Sequence, residues 1–192
     1  MIYLLIASYL IGSISSAVII CKVLGIPDPR TKGSKNPGAT NVLRLGGKKI
    51  AGFVLTFDGL KGATPVIIGH YLEFGLTQLT LITLCAFLGH IFPVFFRFRG
   101  GKGVATYLGG LIAINLLAGL IFSVIWLLVA KVLKPSSLAA LIATALSPFY
   151  FYFITNDMAS TLIIGLISLF IFYTHRGNIK RLINKEEDVI QS

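Results

Sequence analysis

Residues 103–131 read GVATYLGGLIAINLLAGLIFSVIWLLVAK, and the number of times this stretch crosses a bilayer decides the fold. At 29 residues it is long for one span and short for two full ones, since a hydrocarbon core takes about 20 helical residues. Gly109, Gly110, Asn115 and Gly119 lie where a turn can form, and small residues permit close helix packing. The stretch is either two short helices turning near Asn115 or one long tilted helix. The rest of the chain chooses between them.

Apolar runs also fall at about 2–21, 50–72, 76–96, 136–154 and 159–174. Of the 192 residues, 55% are hydrophobic and 12% charged, with a mean hydropathy of +0.86. A soluble domain of this size needs more polar residues to cover its surface. The unbroken runs lack the alternation of a membrane barrel. The composition predicts one all-α, polytopic membrane domain over residues 1–192. Its N-terminus carries no basic n-region or small-residue cleavage site before its first charges, so it reads as a retained first span. Cys21 and Cys85 stand far apart in apolar surroundings and read as structural thiols. The net charge of +10 does not indicate nucleic acid, because the basic residues sit in short loops between apolar runs.

Those loops set the topology. Of 17 Lys and Arg residues, seven lie at 22–49, three at 97–102 and four at 176–185; Lys61, Lys131 and Lys134 complete the set. The connections at 71–77 and 155–158 hold none. Basic segments mark the cytoplasmic side, so the three large ones share it. The chain must then cross an even number of times between residue 103 and the C-terminal segment, and the runs at 136–154 and 159–174 supply two crossings. Residues 103–131 therefore enter and leave on one side, as two helices. The expectation is about seven transmembrane helices, N-terminus outside and C-terminus cytoplasmic.

The same loops carry phosphate chemistry. The first contains Gly33-Ser34-Lys35-Asn36-Pro37-Gly38-Ala39-Thr40-Asn41 and then Arg44. Glycines let backbone N–H groups converge on an anion, and Ser34, Thr40 and Asn41 add neutral donors. A short helix starting near Gly38 would aim its N-terminus at the same anion. No GxxxxGK[ST] occurs, so this is not a Walker A loop. In the second loop Gly100, Gly101 and Gly103 surround Lys102, an open mount for an ammonium facing a phosphate or a developing oxyanion. In the third segment, His175 and Asn178 share a face with Arg181 or Leu182 if helical. Asp58 and Lys61, at i and i+3 inside a span, are either a functional pair or an interior ion pair.

Together these segments resemble the bacterial acyl-phosphate:glycerol-3-phosphate acyltransferases, the PlsY family, whose loops read approximately GSxNPGATNxLR, GHxxPVFxxFKGGKGVAT and HRxNIKRL, with a DxxKG element after the first. All four appear in that order, at Gly33–Arg44, Asp58–Gly62, Gly89–Thr106 and His175–Leu182. Departures are Lys35 where glycine is common and Arg99 where lysine is usual, while Glu187 matches a frequent family glutamate. The resemblance implies transfer of a fatty acyl group from acyl phosphate to the sn-1 hydroxyl of glycerol 3-phosphate. It implies no cofactor, and a site on the cytoplasmic face of the bacterial inner membrane. No HxxxxD follows His70, His90 or His175, in keeping with a donor other than acyl-CoA or acyl-carrier protein. No metal-ligand cluster is visible, so no metal is expected. The oligomeric state is left open.

Both substrates and the departing phosphate are anionic, so one site must gather several cations and donors. Ser34, Thr40, Asn41 and Arg44 are expected to hold one phosphate. Lys102, with Gly101 and Gly103, is expected to hold another or the carbonyl oxyanion, with Arg181 and Glu187 nearby. His175 is the expected base for the acceptor hydroxyl, oriented by Asn178 or Glu187; alternatively the substrate's own phosphate takes the proton and His175 only positions. A transporter for a phosphorylated metabolite is the rival class, but it predicts polar groups through the bilayer. The outer half here carries only Glu73 and Asp157 as acids and no Lys or Arg.

Overall fold

Backbone groups in lipid have no water to bond, so uninterrupted apolar runs fold as helices that satisfy themselves. The computed structural model, which describes residues 1–188, contains no strand among those residues. The chain runs α1 (Ile2–Gly12), α2 (Ser16–Val23), α3 (Ala39–Tyr71), α4 (Leu76–Ile91), α5 (Val104–Ile114), α6 (Leu116–Leu133), α7 (Ser136–Thr155), α8 (Met158–Thr174) and α9 (Arg176–Ile183), with one 3-10 turn at Val94–Phe96.

The run at 103–131 divides at Asn115. That residue adopts an extended conformation, φ −151° and ψ 112°, and its side chain caps α6 by accepting from the Ala118 N–H at 3.0 Å. In a continuous helix, residues seven apart lie about 10 Å from each other. Here a Cβ built on Gly119 would stand 2.8 Å from the Ile112 Cα, so the chain doubles back. A ring nitrogen of His70 on α3 donates to the Ala113 carbonyl at 2.9 Å, occupying one of the carbonyls left open at the end of α5.

Two other runs differ from their sequence outline. The first is two helices bent by 41°, because the chain breaks at Ser13–Ser15, where the Ser13 hydroxyl donates back to the Tyr9 carbonyl at 2.8 Å. Such back-bonding bends helices. The second begins at Ala39 rather than near residue 50, with a kink at Gly47 (φ 84°). Residues 39–46 thus form the short helix expected after Gly38.

The helix crossings use small residues. A Cβ on Gly62 of α3 would run into the Thr106 carbonyl of α5, and one on Gly109 of α5 into the Gly59 carbonyl of α3. Backbones meet there directly, as small residues allow in membrane helix pairs. Phe87, Tyr107, Phe122 and Phe151 are fully enclosed, and a smaller cluster of Ala17, Cys21, Val42 and Val54 ties α2 to α3. The outer surface is apolar: Phe153 is 84% exposed and Leu169 69%. Among the described residues four helices are long and apolar enough to cross a membrane, or up to six if each bent pair counts once. With 11 residues, α5 falls short of that length.

Candidate active site

The three basic segments converge at one end of the bundle around a cavity of about 350 Å³. Of the residues expected there, all but Gly101 line it. Gly101 lies behind the wall, against the imidazole of His90.

Asn41 builds the first loop. It is buried, its Oδ1 accepts from the Ser34 N–H at 2.9 Å, and its Nδ2 donates to the Pro29 and Lys32 carbonyls at 2.9 and 3.0 Å. Both carboxamide donor hydrogens are engaged, so the side chain shapes the loop rather than offering a donor to an anion. This corrects the expectation that Asn41 grips phosphate directly. Ser34, Thr40 and Arg44 stand exposed on the cavity wall. Lys35, at φ 58°, takes the left-handed conformation that costs an L-residue about 1–2 kcal/mol. The turn is therefore as tight as the usual glycine would make it.

The second and third segments are joined by a hydrogen-bonded chain. The Lys102 ammonium donates to Asn178 Oδ1, and Asn178 Nδ2 donates to Glu187 Oε1. Glu187 also accepts from Ser137 Oγ at 2.7 Å and, through Oε2, from Arg181 Nε at 2.7 Å. This fixes which way the Asn178 amide points, and it leaves Lys102 with no carboxylate in direct contact among the described residues. Burial pushes the Lys102 ammonium down to about 8; Glu187 opposes that, while Arg181 and Arg44 reinforce it. Burial alone would raise the Glu187 carboxyl, but the hydrogen bonds from Ser137, Asn178 and Arg181 and the guanidinium charge bring it below its ordinary value. Arg44 pairs with Asp188 at 3.0 Å.

His175 lies in the joint between α8 and α9, 3% exposed. Its Nδ1 stands 2.8 Å from the Ile171 carbonyl. A carbonyl only accepts, so Nδ1 carries the proton and Nε2 presents a lone pair. The expected orienting groups were Asn178 or Glu187; instead the Ile171 carbonyl, four residues back, does this, and it accepts the His175 backbone N–H at 3.0 Å as well. Burial, aided by the Lys102 charge and opposed by the Ile171 bond and Glu187, lowers the imidazole to about 4, so it is neutral near pH 7.

Away from this polar head the cavity becomes apolar, lined by Leu55, Leu108, Phe122, Trp126, Leu127 and Ala140. Leu55 of α3 and Leu127 of α6 are 53% and 61% exposed, so the apolar arm opens on the lipid-facing surface. On the far side of Lys102 lies a second niche of about 270 Å³ whose walls include Ser34, Arg176 and Arg181. Ser137, Thr174 and Asp188 were missed by sequence reading. Thr174 Oγ1 donates to the Lys102 carbonyl at 3.3 Å, but a lone hydroxyl at a helix end carries no pattern that would single it out. Asp58 and Lys61 pair at 2.9 Å with side chains only 4% and 8% exposed, an ion pair held inside the bundle whose Asp58 borders the cavity.

A helical bundle with exposed apolar flanks, and a cation-lined cavity at one end that continues into an apolar arm, defines an integral membrane enzyme rather than a conduit. The comparisons make the class specific. The family model described as glycerol-3-phosphate acyltransferase matches residues 2–185. A glycerol-3-phosphate acyltransferase from Ruthia magnifica is 61% identical over 189 residues, 98% of this chain and 96% of its own. One from Hydrogenovibrio crunogenus is 48% identical over 185 residues, covering 96% and 88%. Among solved structures, the crystal structure of PlsY in its glycerol 3-phosphate form superposes with a TM-score of 0.93 at 37% identity, over 99% of this chain and 95% of that one. Its lysophosphatidic acid form gives 0.90 at 36%, with the same coverage. The chain belongs to the glycerol-3-phosphate acyltransferase family, and it is an acyltransferase of lipid biosynthesis.

Proposed function

We propose that this enzyme transfers a fatty acyl group from acyl phosphate to the sn-1 hydroxyl of glycerol 3-phosphate, releasing lysophosphatidic acid and phosphate. The carrying observation is the junction at Lys102: a cation and amide head on one side and an apolar arm open toward lipid on the other. A donor with a phosphate head and a fatty tail matches that junction, and a polar acceptor matches the head alone. The relative's structures, in glycerol 3-phosphate and lysophosphatidic acid forms, support the same pairing.

In this reading Ser34, Thr40 and Arg44 hold one phosphate on the loop that Asn41 shapes. Lys102, with the backbone of Gly103, faces the carbonyl oxygen on which negative charge develops. Asn178, Glu187 and Arg181 keep the ammonium in place. The sn-1 oxygen forms the new ester bond to the acyl carbon, and the bond from that carbon to the phosphate oxygen breaks. The hydroxyl proton leaves on the departing phosphate. An imidazole held near 4 is a weaker acceptor than a phosphate whose second pKa is about 6. His175 therefore accepts a hydrogen bond at Nε2 and aims the hydroxyl.

The site faces the cytoplasm at the bacterial inner membrane. Seven crossings, with the N-terminus outside and the C-terminus inside, are the reading supported by the basic segments meeting at this end and by the hairpin at Asn115. The deciding experiment supplies purified protein in bilayers with glycerol 3-phosphate and either acyl phosphate or acyl-CoA. Lysophosphatidic acid is expected from acyl phosphate alone. Product from acyl-CoA alone, or from neither donor, would overturn the donor assignment.

A further inference from the structure

We propose that Asp58 and His90 act as positioning residues for the glycine loop that carries Lys102; the proposal rests on Lys102 being catalytic. Asp58 is held from two elements: its Oδ1 accepts from Ser16 Oγ of α2 at 2.8 Å and pairs with Lys61 Nζ at 2.9 Å. Lys61 in turn donates to the Ile14 carbonyl at 2.9 Å, at the break between α1 and α2. The carboxylate is thus a fixed point in the bundle, 2% exposed.

His90, at the end of α4, places Nδ1 3.7 Å from that Asp58 oxygen and 3.1 Å from Thr106 Oγ1 on α5. Two oxygens, one of them a carboxylate's, facing the same ring nitrogen favour a proton on Nδ1. The lone pair then sits on Nε2, the atom that abuts Gly101. Any Cβ at residue 101 would collide with Nε2, and would lie 3.0 and 3.1 Å from Cε1 and Cδ2. What glycine offers in that direction is a Cα–H, a weak donor suited to a lone pair. On the chain's other side, the Gly101 N–H donates to the His90 carbonyl at 3.2 Å. Residue 101 is gripped between the ring and the backbone of one histidine, and the next residue is Lys102.

Asp58 and His90 border the cavity themselves, and the DxxKG element also reaches Lys102 through the glycine loop. Thr106 and the Asp58 charge orient the ring, the ring and its carbonyl hold Gly101, and Gly101 sets the direction from which Lys102 enters the cavity.

The test is a double-mutant cycle in the full-length protein, reading kcat and KM for both substrates with the thermal midpoint as a check on folding. Gly101→Ala is expected to lower kcat/KM by about 100-fold or more, with most of the loss in kcat. His90→Asn keeps a polar group near the Nδ1 position but vacates that of Nε2. In that background Gly101→Ala is expected to change kcat/KM by less than about 3-fold, a strong non-additivity. Asp58→Asn, which retains an acceptor for Ser16, should retain more activity than Asp58→Ala. Additive losses in the cycle would overturn the positioning role. Lys102→Ala separates the two readings: if it is inactive while the cycle is additive, only the positioning role fails. If Lys102→Ala turns over normally, the assignment of Lys102 itself fails.

Discussion

The ammonium of Lys102 donates to the carboxamide oxygen of Asn178, 76 residues further along the chain. The amide has no freedom to flip, because its nitrogen donates to Glu187. Removing one partner of a charged, buried hydrogen bond costs about 2–4 kcal/mol. Asn178→Ala is therefore expected to lower kcat/KM by about 30- to 1,000-fold with the protein still folded. Asn178→Asp should do worse, since it sets a second carboxylate against Glu187; steady-state kinetics and thermal unfolding of the two variants check the order.

The pH dependence should reveal Lys102. Burial brings its ammonium to about 8, so the positive charge is present below that pH and is lost above it. The alkaline limb of kcat/KM, which reports the free enzyme, is expected near pH 8. If Lys102→Arg keeps measurable activity, its limb should move upward, because a guanidinium stays charged.

His175 gives the opposite signature. An imidazole already neutral above about pH 4 contributes no titration between pH 5 and 8. His175→Gln, which keeps a hydrogen-bonding atom near the Nε2 position, is expected to retain activity reduced by about 10- to 100-fold, with an unchanged pH profile across that range. Near-normal activity would exclude a base role, whereas loss of an acid limb would restore it.

Gly62 tests the fold. A methyl group there would enter the Thr106 carbonyl, and backbone yields less readily than a side chain. Gly62→Ala is expected to destabilise by about 1–3 kcal/mol, seen as a lower thermal midpoint in detergent. Gly165, whose Cβ would meet nothing within 4 Å, is the matched control.

Topology is open to labelling. With Cys21 and Cys85 replaced, single cysteines at Glu73 and Leu116 should react with an impermeant reagent from outside. Cysteines at Lys35, Lys134 and Lys185 should react only after permeabilisation. Leu116→Cys reacting solely from the inside would remove the hairpin and, with it, two crossings.

The sequence made some of these features legible and hid others for physical reasons. The turn at Asn115 was readable because charge fixes the sides of a membrane protein and small residues mark where helices can fold back. The site loops were readable because anion binding needs glycine, amide and cation in close succession. The individual tasks within them were less so. Asn41 has the donors of a phosphate ligand, but its partners are the Pro29 and Lys32 carbonyls, set by a loop path that no residue pattern encodes. His175 was expected to find a side-chain partner, whereas its ring turns back onto the Ile171 carbonyl that its own backbone N–H also bonds. The start of α3 was hidden because Gly46-Gly47 reads as loop yet only kinks a helix that has already begun.

The shortness of α5 has a further meaning for where the chemistry happens. Eleven residues span about 16 Å, roughly half of a hydrocarbon core of about 30 Å. With 18 residues α6 is long enough to cross, so its Asn115 end lies at the outer boundary and the shortfall of α5 falls at the glycine loop. In the proposed topology the membrane boundary is therefore notched around Lys102. In the proposed reaction a water-soluble acceptor descends to meet a lipid-borne donor, and the fatty chain never has to leave the bilayer to be joined.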